Sequence, residues 1–461
     1  MDALVTGEPC WELVFDEHGR LLGPDREELV TQVAGSGVAD LFVLSHGWNQ
    51  DAAAARRLYD DLFPLVLEAC GGVGTLGPVG FAGVLWPSVW FPETPAHVPA
   101  PGGSGQSSAG AATEAASGAH VLSGAEIADS LLPSFTDAGE QQAVREIGAL
   151  IDRGQEMLRA GVATEAEEEQ LIRDLHAVAR SLAPAASEVA VEDAGESALF
   201  AAGSPTVAYQ GLAEVFGSTP QVASVQGVGD WFGKALDGSK DMVRVLSFTI
   251  MKARAGTVGA TGLGPLLVDL AGGSPHLRVH LVGHSFGARL VSFALSTVGT
   301  PESSPVCSLT LLQGAFSHFA FSTAEDNPFG KAGALHEYAD RVHGPLVATY
   351  SPHDYAVGRW YPKASFLSRD DTQDTSDASR WDGLGGDGFR AVEPLERFAL
   401  LAQEPTPFAL APGTFYRVDA ETVINNVEQS AFSGAHSDIR KVPVARLVAA
   451  AAGAHARPPS D

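Results

Sequence analysis

Apolar positions along the chain fall into two kinds of run. Short runs bounded by turn residues read as strands: "VADLFVLSHG", with its strand at Asp40 to Ser45, "VGFAGVLWP", "LRVHLVGHS", "VCSLTLLQGA", "GPLVATYSP" and "GTFYRV". "WELVFDEHGRLL" reads as a hairpin turning at His18-Gly19. Longer segments with helical spacing lie between them, "GPDREELVTQVA", "AAAARRLYDDLFPLVLEAC" and "ARLVSFAL" among them, with another helical region from about Asp230 to Ala255. "AGTVGATGLG" reads as a glycine-rich turn before a short helix, "PLLVDLAG". Strands separated by helices predict an α/β fold with a doubly wound, mostly parallel sheet.

The pattern breaks after "WPSVW". "PETPAHVPAPGGSGQSSAGAATEAASGAH" has the Pro/Gly/Ser/Ala content of a loop. Two acidic helices follow. Val144, Ile147, Ile151 and Leu158 share one face of the first. In the second, Thr164 and Glu167 make a capping box, and Leu171, Leu175, Val178 and Leu182 line one side. The chain therefore divides into a core of residues 1–91 and 210–450, an insertion of 92–209, and a tail of 451–461. A solvated helical hairpin and a cap over a site are compatible readings of the insertion.

Composition narrows the function. The chain has 461 residues and a formal charge of −27, which argues against nucleic acid or an anionic membrane as partner. Cys10, Cys70 and Cys307 are too few and too scattered for a disulfide framework or a zinc site. The opening, "MDALVTGEPCWELVFDEHG", lacks the basic and apolar regions of a signal peptide, and no apolar run is of membrane-spanning length. A cytoplasmic protein is expected. Abundant Arg, Ala and Gly with scarce Lys suggest a GC-rich bacterial genome. Oligomeric state is not legible.

The candidate chemistry sits in "LRVHLVGHSFGARLVSFAL", where Gly-His-Ser-Phe-Gly joins a strand to a helix. Glycines two residues either side of Ser285 let the chain turn tightly, and the hydroxyl projects beside a helix N-terminus that favours negative charge. A serine nucleophile needs a base and an acid, which follow it in this arrangement. Asp354 ends "PLVATYSPHD", just past a strand's C-terminal end, where ligands gather in open α/β sheets. Asp326, in "STAEDN", is the reserve acid. Only His436, in "SGAHSDI", and His455, in the tail, follow Asp354, and His436 is the better placed base. The oxyanion of an acyl-transfer intermediate needs two amide donors: Phe286, after the nucleophile, and Trp48, in "LSHGWNQ". His46 reads as a buried residue that stabilises this loop and does no acid–base work.

Taken together, "LFVLSHGWNQD", "GVLWPS", "VHLVGHSFGARL", "TYSPHD" and "GAHSDI" resemble the α/β-hydrolase superfamily, and are most similar to its bacterial serine esterase and lipase branches. The resemblance covers the first ~90 residues and from about residue 240 to the end; it implies a mostly parallel central sheet flanked by helices, with a helical cap-like insertion. It implies Ser285 as nucleophile, Asp354 as acid, His436 as base, Trp48 and Phe286 as oxyanion donors, and no cofactor or metal. The oxyanion loop is His-Gly-Trp rather than His-Gly-Gly-Gly, a departure from the hormone-sensitive-lipase-like branch. Trp86, Trp90, Phe91, Trp231 and Phe232 form a candidate acyl pocket. The implied substrate is a small-molecule or lipid-like carboxylic ester. Acyl transfer and thioester hydrolysis use the same triad, and a non-catalytic interaction protein on this scaffold is the third class.

Other patterns carry less. "GVGDWFGKA" lacks a Ser or Thr after Lys234 and the glycine spacing of a phosphate loop. "SRDDTQDTSDAS" is rich in oxygen ligands but lacks the EF-hand spacing. His276, His280 and His284 recur every fourth residue but read as unrelated.

Overall fold

In the computed structural model, which describes residues 3–5, 7–48, 50–88, 123–182, 236, 249–328, 330–360, 383–401, 408–429 and 433–455, the apolar runs are strands of a single sheet. The strands are β1 (Ala3–Val5), β2 (Glu8–Phe15), β3 (Leu21–Gly23), β4 (Asp40–Ser45), β5 (Val79–Leu85), β6 (Arg278–His284), β7 (Val306–Leu312), β8 (Leu346–Tyr350), β9 (Leu395–Ala399) and β10 (Phe415–Asp419). Their order is β1-β2-β5-β4-β6-β7-β8-β10-β9, with β3 beside β2. Neighbours from β2 to β9 are parallel, and only β1 and β3 pair antiparallel, both with β2. The fold is thus α/β with a mostly parallel sheet. β4, β5, β6 and β7 are buried along their whole length, which explains their continuous apolar character.

The helices are α1 (Arg26–Ser36), α2 (Ala52–Cys70), α3 (Gly124–Leu131), α4 (Ala138–Ala160), α5 (Glu165–Leu182), α6 (Gly264–Gly273), α7 (Phe286–Ala294), the single turn α8 (Leu384–Asp387) and α9 (Val442–Gly453). α2 and α9 pack together over one sheet face, burying Leu58, Leu62, Leu447 and Val448 against Phe42, Phe81 and Val282. α7 packs on β6, β4 and β7 from the other face, since Gly283, which meets α7, points opposite to Val282. After β4 the chain moves outward to β5, and β6 lies on the other side of β4. The loops after β4 and β6 therefore part at a topological switch point, the usual place for a site in an open α/β sheet.

Several expectations change. The run "AGTVGATGLG" is no turn: residues 249–257 are helical and lead through a π-helical stretch, Val258–Leu263, directly into α6. Its glycines serve close packing, since a Cβ at Gly259 would lie 2.1 Å from the Leu290 carbonyl oxygen of α7. β9 went unread because it is an edge strand with exposed Glu396 and Arg397, so no apolar run marks it. α9 extends to Gly453, into the expected tail, and His455 packs with its ring 6.3 Å from that of His280. Leu158 is 43% exposed, so the α4 stripe stops at Ile151. Lys234, Trp231, Phe232, "SRDDTQDTSDAS" and most of the helix expected over Asp230 to Ala255 lie outside the described residues, as do Trp90 and Phe91.

The chain forms two compact units, Met1–Val89 with Ala183–Gly203 and Phe248–Asp461, and Trp90–Leu182 with Ser204–Ser247. Within the second, α3 begins at a Ser123–Glu126 capping box, and its first amides, Gly124 and Ala125, donate to Asp152 of α4 at 2.6 and 3.0 Å. Backbones of α3 and α4 touch through Gly124 and Gly148. The Thr164–Glu167 box forms as read, with the Thr164 amide 2.8 Å from Glu167. Among the described residues no helix is long and apolar enough to cross a membrane.

Candidate functional site

Ser285 occupies the junction of β6 and α7. Its backbone has φ 58° and ψ −123°, a conformation that a non-glycine residue rarely adopts. Strain of this kind persists only where surrounding structure enforces it. Here the Ser285 amide donates to the Leu312 carbonyl at 3.1 Å, and the Ser285 carbonyl accepts from Ala315 and Ala288 at 3.1 Å each. The flanking glycines allow the turn: a Cβ on Gly283 would lie 2.4 Å from Cα of Ala288, and one on Gly287 2.2 Å from the Ser45 carbonyl oxygen. α7 begins at Phe286, so the serine stands at the positive end of that helix.

The loop after β4 runs directly against it. A Cβ on Gly47 would lie 2.5 Å from Cβ and 3.1 Å from Oγ of Ser285, which is why only glycine fits there. Trp48 follows, with its ring 6.2 Å from that of Phe286. The two residues read as oxyanion donors are thus neighbours. His46 holds this loop as expected. Its amide donates to the Tyr59 hydroxyl at 3.1 Å, and that hydroxyl donates to the Val84 carbonyl at 2.5 Å. The His46 carbonyl accepts from Trp86 Nε1 at 3.2 Å, and its Nδ1 donates to the Gly47 carbonyl at 2.9 Å. Burial pushes the His46 imidazole down to about 4, against the pull of its bond to Gly47, so the ring is neutral. Trp86 is itself buried and stacks on His46, which makes it a support of the loop.

Asp354 lies just beyond β8, and His436 lies in the segment after β10. An isolated bridge between Asp354 and Gly434 brings the two segments together. His436 Nδ1 donates to Asp354 Oδ2 at 2.7 Å, leaving Nε2 as the nitrogen available for proton transfer. Asp354 Oδ1 accepts from the Val357 amide at 3.0 Å, so both carboxylate oxygens are engaged. Ser285, Asp354 and His436 are 3%, 1% and 8% exposed. The Ser285 hydroxyl makes no hydrogen bond among the described residues. Such bonds are often long before substrate binds.

Gln313 and Tyr59 take part without having been singled out, and so does His284, which the sequence reading set aside with His276 and His280. His284 Nε2 donates to the His436 carbonyl at 2.9 Å, and the two rings lie 4.9 Å apart, so the residue next to Ser285 tethers the backbone of His436. Burial, reinforced by His436, drives His284 down to about 3. Gln313 is a single polar residue ending the apolar run "LTLLQGA", a visible signal of a special position. The reserve acid, Asp326, accepts from Thr323 Oγ at 2.7 Å in an exposed turn and makes no contact with His436. His353 is partly exposed near Glu421.

The arrangement places a strained serine at a helix N-terminus, a loop amide region pressed against it, and an aspartate-oriented imidazole tethered to the adjacent residue. Compared with known protein families, with curated proteins and with solved structures, the chain matches none.

Proposed function

We propose that the protein is a cofactor-independent serine hydrolase acting on carboxylic esters, built as an α/β-hydrolase fold whose helical insertion after β5 serves as a cap. The observation that carries this reading is the conjunction of the strained Ser285 turn with the 2.7 Å His436–Asp354 bond at the strand ends of the same sheet. A strained serine alone is a turn, and an Asp–His pair alone is an ion pair. Together they supply nucleophile, base and orienting acid.

In the proposed reaction Ser285 Oγ bonds to the ester carbonyl carbon while its proton passes to His436 Nε2. The carbonyl oxygen becomes an oxyanion that accepts from the Trp48 and Phe286 amides at the positive end of α7. Asp354 balances the imidazolium. The intermediate collapses as the carbon–alkoxide bond breaks, and His436 returns its proton to the leaving alcohol. Water then attacks the acyl-enzyme by the same steps, releasing acid and restoring Ser285. His46 and His284 stay neutral beside Ser285, so the imidazolium and oxyanion are the charges that develop.

The test is release of p-nitrophenol from esters of graded acyl length by the full chain, with mass spectrometry of the quenched enzyme. A single acyl adduct on Ser285 is expected. Turnover with no adduct at Ser285, or no turnover on any ester, defeats the reading. Product partitioning with added alcohol or amine separates hydrolysis from acyl transfer.

A further inference from the structure

Gln313 follows β7, the strand that neighbours the nucleophile's own strand, and its side chain is completely buried. Its backbone φ is 50°, one of the few positive values at a non-glycine residue. Nε2 donates to Asp354 Oδ2 at 3.0 Å and to the Gly385 carbonyl at 3.1 Å. Oε1 accepts from the Thr349 hydroxyl at 3.0 Å, and that hydroxyl in turn accepts from the Gln313 backbone N–H at 3.1 Å. The chemistry of these partners fixes the amide's orientation. A carboxylate and a carbonyl can only accept, so the NH2 group must face them. Gly385 leaves the room, since a Cβ there would lie 2.7 Å from the Gln313 carbonyl carbon and 3.0 Å from Asp354 Oδ2.

Asp354 Oδ2 is the same oxygen that receives the His436 proton donor. Two donors from segments far apart in the chain, one just after β7 and one after β10, thus converge on one oxygen and define its place. Oδ1 is held independently by Val357. No lysine or arginine pairs with Asp354 among the described residues.

We infer that Gln313 is a positioning residue of the triad: it fixes the Asp354 carboxylate and aims Oδ2 at His436, while touching no substrate. This rests on the serine-hydrolase reading. An apolar residue would fill the same space and still lack the donor to Asp354 Oδ2. A hydrogen bond to a charged group in a buried site is among the stronger ones.

The experiment measures the rate constant of Ser285 phosphonylation by a fluorophosphonate, and kcat and KM on a p-nitrophenyl ester, for the full chain and three variants. Gln313→Met keeps length without the donor. Gln313→Glu keeps shape but turns an acceptor toward Asp354. Thr349→Val frees the amide's far end. Gln313→Met is expected to lower the phosphonylation rate constant and kcat by roughly 10- to 100-fold with KM within about twofold. Gln313→Glu is expected to fall further, and Thr349→Val less but in the same direction. Structural damage alone would lower the fraction of enzyme that can be labelled and leave the rate constant of that fraction unchanged. That result, or unaltered rates in all three variants beside a labelled wild type, overturns the assignment of Gln313. A wild type that does not label at Ser285 overturns the hydrolase reading and the role of Gln313 with it.

Discussion

Two aspartate–histidine–serine groups lie in this one sheet, and they are built differently. Inside the sheet, toward the strand starts, Asp40 Oδ1 lies 2.9 Å from His280 Nε2, and His280 Nδ1 lies 3.0 Å from Ser308 Oγ. All three are buried. At the strand ends, Asp354 bonds to His436 and the serine hydroxyl is uncommitted among the described residues. By hydrogen bonds alone the interior group is the more complete triad. Its aspartate, however, already faces a cation: Arg278 grips Asp40 through Nε at 2.7 Å and a terminal nitrogen at 2.5 Å. Burial disfavours the Asp40 carboxylate, but Arg278 and His280 outweigh it and hold the group well below the usual carboxylate range. His280 is pushed down by burial against the pull of Asp40. A proton arriving on His280 would meet an aspartate whose charge is spent. Asp354 has only neutral donors besides His436 and can balance an imidazolium. Ser308, moreover, sits inside a strand, beside a register shift in the β6–β7 pairing, with no helix start beside it. On the proposed reading, place and charge balance, rather than the residue triplet, separate a reactive serine from a structural one.

Exchanging each pair in turn breaks the comparison most sharply. Ser285→Ala is expected to lower ester turnover by about a million-fold, on the scale of losing a triad serine. Ser308→Ala should leave kcat and KM within about twofold and cost roughly 1 kcal/mol of stability, read as a shift in urea midpoint. Comparable activity losses in the two variants would erase the distinction.

The aspartates should divide in the same sense. Asp354→Asn is expected to reduce kcat by about 10⁴-fold through the imidazole's orientation. Asp40→Asn leaves Arg278 buried and unbalanced, so it should cost about 3–5 kcal/mol of folding stability while the folded fraction keeps its kcat. Thermal melts and active-site titration together read both effects.

Acid should sharpen the picture further, with a smaller effect per step. His46 and His284 stay neutral in the folded chain down to about 4 and about 3. An unfolded chain protonates them below ~6.5, so the unfolded state binds more protons and is favoured as pH falls. Their contribution is complete above ~6.5 and shrinks by about 1.4 kcal/mol per pH unit per histidine toward the folded values. Asp40 acts lower, since its stabilisation is complete above the unfolded value of ~3.9 and is lost only as pH falls beneath that. Urea midpoints between pH 7 and 4 should therefore decline, and His46→Gln should flatten the slope. A pH-independent midpoint would contradict the neutral, buried state of both rings.

The strand ends were legible because their signals are local. A buried strand, a glycine–x–serine–x–glycine turn and a helix follow one another in sequence, and chain order points to Asp354 and His436. The interior network was not legible. Asp40 and Arg278 are far apart in sequence, and only the β4–β6 register sets them side by side. His280 and His284 share a sheet face, yet one serves Asp40 and the other His436, so their regular spacing carried no meaning. Glycines misled for a related reason. Those around residue 260 look like a turn in sequence, but their task is to let one helix approach another, which no local pattern reveals. Gln313 needed the third dimension too, because its partners come from β8, the loop after it and α8, not from its own segment.

The central claim is that Ser285 is the reactive serine. Its most direct test is site mapping of a fluorophosphonate adduct on the intact protein by peptide mass spectrometry, run on wild type, Ser285→Ala and Ser308→Ala. The account predicts one adduct, on Ser285, lost in Ser285→Ala and kept in Ser308→Ala. No adduct in the folded wild type, or an adduct that survives Ser285→Ala, would contradict it.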